Sequence, residues 1–138
     1  MRKTETYRQH HEELRAIAAR IEALLDPATI TANTHPVADA VRELFGKFSV
    51  HLAIEDNSLY PRAKALDNQN VRAVASRFET EMGGLSQRFD AYRKSWPGPL
   101  AIGRDPARFV EETRAVLDAL RTRVAREETQ LYDLIDAA

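Results

Sequence analysis

A histidine four residues ahead of a glutamate, His51 and Glu55, is the most specific chemical signal in the chain. On a helix that spacing puts imidazole and carboxylate on one face, a pairing suited to a hard or borderline divalent metal. The stretch returns 72 positions later: His51-Leu-Ala-Ile-Glu55-Asp56-Asn-Ser-Leu59-Tyr60 is answered by Arg123-Val-Ala-Arg-Glu127-Glu128-Thr-Gln-Leu131-Tyr132. The glutamate, the Leu-Tyr pair and the apolar spacing recur, but arginine stands where the first copy has histidine. A guanidinium carries a permanent charge and no lone pair, so Arg123 cannot ligate a metal.

The elements that must position these residues are legible in the apolar periodicity. Leu14, Ile17, Ala18, Ile21, Leu24 and Leu25 predict an amphipathic helix over 5–26, closed by Asp26-Pro27. A loop follows to His35-Pro36, where proline suits the first turn of a second helix that ends or kinks at Pro61. A third helix is predicted from about Val71 to Tyr92, ahead of the break Trp96-Pro97-Gly98-Pro99. Asp105-Pro106 reads as an N-cap and first helical residue, opening a fourth helix that runs toward Ile135. Four long helices and no strand pattern predict an all-α, up-down-up-down four-helix bundle in a single domain, 1–138. The second and fourth helices align at an offset of 72 and the first and third at 71, so the fold reads as two related hairpins.

Composition removes other classes. The 20 basic and 21 acidic residues are interspersed and give a formal charge of -1, so there is no basic stripe for nucleic acid or for an anionic membrane. Without cysteine there are no thiolate ligands, and any metal must be held by nitrogen and oxygen. No run approaches the roughly 20 apolar residues of a spanning helix, and the first residues lack the apolar core of a signal peptide, so a cytoplasmic location is expected.

The chain resembles the hemerythrin-like, HHE cation-binding domains. The resemblance runs from Arg8-Gln9-His10-His11-Glu12-Glu13-Leu14 through His51-x-x-x-Glu55 and Pro61 to Glu127-Glu128-x-x-Leu131-Tyr132. It implies a bundle that holds two non-haem irons through histidines from all four helices and two bridging carboxylates. It further implies His11 and His51 as ligands, Glu55 as the first bridge, and Glu127 or its neighbour Glu128 as the second. The pattern fails in the second half, where Met82, Ser86 and Arg123 replace the histidines that the resemblance calls for. A dinuclear iron centre would need ligands such as Glu81, Ser86 or Tyr60, and the resemblance therefore argues against it.

Two readings of the remainder stay open. In one, His11, His51, Glu55 and Glu127 hold a single non-haem iron, manganese or zinc in a module responsive to metal, redox state or a small gas. In the other, Arg123 faces Glu55, replaces the metal charge, and leaves a metal-free bundle that acts on a protein partner. An enzyme ranks below both, because no separate acid, base or nucleophile set is visible.

The remaining candidates have structural readings. His10 lies about 100° around the helix from His11 and reads as solvated, while His35 reads as a surface or capping residue. Met82 reads as core, and Tyr60 and Tyr132 as paired aromatics that pack and hydrogen-bond near a bundle end. Gly83-Gly84 predicts a kink, an opening for a ligand, or a close neighbour. Arg15, Arg20, Arg114, Arg121 and Arg126 read as a solvated face.

Overall fold

A computed structural model describes residues 2–138, and among them every regular element is helical. The helices are α1 (Glu5–Ala23), α2 (Pro27–Ala32), α3 (His35–Ile54), α4 (Tyr60–Ala65), α5 (Gln69–Ser95), α6 (Pro99–Arg104), α7 (Pro106–Arg126) and α8 (Asp133–Ala137). A π-helical turn, Glu55–Leu59, joins α3 to α4, and a second, Glu127–Tyr132, joins α7 to α8. Four long helical stretches result, α1, α3–α4, α5 and α7–α8, with α2 and α6 as short connecting helices.

Three of the starts, those of α2, α5 and α7, follow from side-chain caps. Asn68 accepts from the Val71 amide at 3.1 Å, Asp105 from the Arg108 amide at 3.2 Å, and Asp26 from the Thr29 amide at 2.9 Å. Two expectations need correction. The stretch after Asp26-Pro27 is not a plain loop, because Asp26 caps α2 there. Nor does the helix end at Pro61, which sits in the first turn of α4 just beyond the π turn. Proline clashes with the carbonyl four residues back in a regular α-helix, and the wider turn precedes it. Yet the second copy has Asp133 at the matching position and the same π turn, so proline is not the common cause.

The repeat extends into the connections, since Pro27 and Pro99 open α2 and α6 72 positions apart and these two short helices touch. Gly83 and Gly84 lie within an uninterrupted α5, exposed, with nothing within 4 Å of where a Cβ would stand. The close neighbour is not present, and the helix is not broken there.

Two apolar clusters fill the interior. One includes Leu14, Phe45, Phe48, Met82, Leu120 and Val124, and the other Tyr7, Leu59, Phe78, Leu131 and Ile135. Along each long stretch the chain passes from one cluster to the other, and where three of the four cross, polar side chains are buried: His11 on α1, His51 and Glu55 on α3–α4, Arg123 and Glu127 on α7–α8. A buried polar layer is costly unless its groups satisfy one another or hold an ion. No helix among the described residues is long and apolar enough to cross a membrane.

Candidate metal centre

The π turns determine what this layer contains. In a straight α-helix residues i and i+5 point about 140° apart. The i→i+5 turn instead lets Glu55, Leu59 and Tyr60 all face inward, and likewise Glu127, Leu131 and Tyr132. Both tyrosines thus lie at the polar layer rather than at a bundle end, and each crosses to the other copy's half. Tyr132 stacks on the His11 ring with centroids 5.1 Å apart, while Tyr60 meets Arg123.

One half is built on imidazole. His11 Nε2 and His51 Nε2 face each other at 3.1 Å, and Glu127 Oε1 stands 3.3 Å from His11 Nε2. Glu55 Oε1 stands 3.3 Å from His51 Nε2, and the Tyr132 hydroxyl donates to Glu55 Oε2 at 2.7 Å. His11, His51 and Glu127 offer ligand atoms within 4.8 Å of one another.

The outward nitrogens are held as well. His11 Nδ1 meets Glu128 Oε2 at 2.8 Å, and Arg15 donates to Glu128 Oε1 at 2.7 Å. Burial works to raise the Glu128 carboxyl, but Arg15 and His11 hold it below its ordinary value. As an ionised acceptor it assigns the proton to His11 Nδ1. Burial lowers the His11 pKa, so neutral His11 turns its Nε2 lone pair inward. On the other ring, His51 Nδ1 lies 3.3 Å from His10 Nδ1. His10 is therefore half-buried against His51 rather than solvated, because its side chain reaches back over the helix surface. Arg15 is likewise no solvated bystander, and of the two neighbouring acids it is Glu127 that points inward while Glu128 braces His11.

The other half is built on guanidinium. Arg123, 4% exposed, points inward and donates to the Phe78 carbonyl at 2.7 Å and the Tyr60 hydroxyl at 3.2 Å. Its Cζ lies 4.5 Å above the Phe78 ring, and Glu81 approaches it at 3.5 Å. Its carboxylate in the layer is Glu127, one helical turn on, whose Oε2 is 3.9 Å from Arg123 Nε, and not Glu55 across the bundle. Met82 is buried in the apolar core, and His35 is exposed at the start of α3.

Burial, and then the neighbouring Glu55, push Glu127 well above the ordinary glutamate range. Glu55 moves the other way: burial alone would raise it, but His51, Glu127 and Tyr132 stabilise its charge and bring it below its ordinary value. Even so, Glu55 Oε1 is buried without a hydrogen-bond partner, as are Glu127 Oε2 and Arg123 Nε, which face each other at 3.9 Å. Ligands about 2.1 Å from a divalent ion stand about 3 Å apart along the edge of an octahedron. The 3.1 Å and 3.3 Å separations of the imidazole half fall at that spacing. Protons or a cation satisfy the converging lone pairs: in the first case one on Glu127 beside Glu55 and one on His51 Nε2, with His10 donating to Nδ1, and in the second an ion among them.

A family model described as Hemerythrin HHE cation binding domain matches residues 2–135. No curated protein and no solved structure matches the chain.

Proposed function

The chain belongs to the hemerythrin HHE cation binding domain family, and from that premise we propose that it holds one divalent metal ion, in a module that responds to metal, redox state or a small gas. His11, His51 and Glu127 are its ligands, with Glu55 as a fourth. The observation that carries this reading is the facing pair of imidazole nitrogens 3.1 Å apart, with Glu127 Oε1 3.3 Å from one and Glu55 Oε1 3.3 Å from the other. An all-nitrogen and oxygen set of this kind suits iron, manganese or zinc as the divalent ion. When bound, the ion supplies a Lewis-acidic and, for iron, redox-active centre.

The chain's own residues do the rest. His11 and His51 offer lone pairs, Glu127 and Glu55 offer charge, and the Tyr132 hydroxyl fixes the rotation of Glu55. Glu128 and His10 brace the imidazoles from behind. Arg123 fills the position of a second ion, so the centre is mononuclear. The four long stretches serve this centre as an up-down-up-down bundle of one domain, 1–138, working in the cytoplasm.

A second reading is favoured by Arg123 itself. A buried guanidinium beside Glu127 supplies positive charge in place of a metal, which suits a metal-free bundle that acts through a protein partner. Anaerobic titration of chelator-stripped protein with Fe(II), Mn(II) and Zn(II), followed by calorimetry, separates the two. The metal reading expects a saturable site that His51→Ala weakens by more than 100-fold, beyond the ~10–100-fold typical of outer-shell partners. No saturable uptake of any of the three would leave the metal-free reading in its place.

A further inference from the structure

Outside the polar layer, a cleft of ≈ 620 Å³ opens between α3, the end of α5 and α6, and none of its lining residues belongs to the metal centre. We propose that this cleft binds a small amphipathic carboxylate, with its apolar body on the floor and its charged group at the rim. The floor is made by Val41, Phe45, Trp96 and Ile102, all members of the larger apolar cluster. Above it stand Arg93 and Lys94 against Asp90, and Arg42, which is paired with Asp39 at 3.3 Å. Arg93 leans over the floor itself, with its Cζ 5.4 Å from the Phe45 ring centroid.

Trp96 adds an independent observation. Its indole nitrogen, a donor and never an acceptor, is buried without a partner, and the side chain is 9% exposed in the wall of this cleft. A buried donor without an acceptor is costly, and a ligand oxygen would relieve it once the indole edge turns toward the cleft that the side chain lines. The volume lies in the range of small-molecule sites, and apolar walls with a few polar groups are their usual composition. Charge selects the ligand class. Arg93 and Lys94 outnumber Asp90 at the rim and disfavour an ammonium group, while apolar walls disfavour a fully hydrated inorganic anion.

Trp96 is the only tryptophan of the chain, so its emission reports on this cleft alone. Full-length protein is titrated with octanoate, and in parallel with 1-octanol and octylammonium. The expected result is a saturable change in Trp96 emission with octanoate, at least ten times weaker with either control. Arg93→Glu combined with Lys94→Glu, both exposed positions, should weaken octanoate at least tenfold while the helical circular dichroism signal and the metal stoichiometry stay as in the parent. No saturable change with octanoate, an equal response to octanol or octylammonium, or an unchanged octanoate response in the folded double variant would overturn the proposal.

Discussion

On one side of Glu127, His11 Nε2 stands 3.3 Å from Oε1; on the other, Arg123 Nε stands 3.9 Å from Oε2. The carboxylate thus joins two halves of one polar layer that descend from one repeated sequence and solve the same electrostatic problem differently. Each must compensate buried acid. The imidazole half can do so by gathering neutral lone pairs around a cation, and its rings are braced from behind by Glu128 and His10. The guanidinium half carries its cation covalently and spends its donors on Tyr60, the Phe78 carbonyl and Glu81. On the proposed reading, arginine takes a metal position without opening a hole in the core, because it brings charge, bulk and fixed donors at once.

The sharpest way to break the comparison is to remove the covalent cation. Arg123→Ala leaves Glu127 and the Phe78 carbonyl without their buried partner, and should destabilise metal-free protein by about 3–5 kcal/mol in chemical denaturation. A loss under 1 kcal/mol would mean that Arg123 does not offset the acids. A smaller effect is expected from the bracing residues. His10→Ala and Glu128→Ala should each weaken metal binding by ~10–100-fold with stoichiometry unchanged, as calorimetry would read. If both bind as tightly as the parent, the outward contacts of the two rings are incidental.

The smallest effect is in the pH dependence of the metal-free protein. Glu127 has a folded pKa raised above its unfolded value, so its contribution to stability is fully present below about pH 4.5 and is lost as pH rises through the raised value. Glu127→Gln removes that loss. Its stability relative to the parent should therefore grow from pH 5 to pH 8 in denaturation curves taken with chelator present, and a flat difference would contradict the assignment.

Much of this layer was legible before any coordinates. The four long helices follow from apolar positions recurring at helical spacing, His51 and Glu55 from their four-residue separation, and His11 from its place on the stripe of Leu14 and Ile21. The inward turn of Arg123 was one of two alternatives, since an arginine can equally extend its stem along the surface. What the periodicity hides is the π turns, because a 3.6-residue wheel cannot place Glu55 and Tyr60 on one face; it reads both tyrosines as bundle-end aromatics, with Tyr60 at the site only as a ligand that a dinuclear centre would need. The repeated Glu-x-x-x-Leu-Tyr was the available signal. The helices α2 and α6 span six residues each, too few for periodicity, and only Pro27 and Pro99 at equal register marked them. For His10 and Glu128 no signal existed, since their roles depend on where a side chain reaches and not on where its Cα lies.

The central claim is one metal position with a guanidinium in place of the second, and elemental analysis tests it most directly. It would be run on protein purified without chelator or affinity metal, beside the double variant Arg123→His with Met82→His. The account predicts about one equivalent of iron, manganese or zinc per chain in the parent, and about two in the variant. Two equivalents in the parent, or none in either protein, would contradict it.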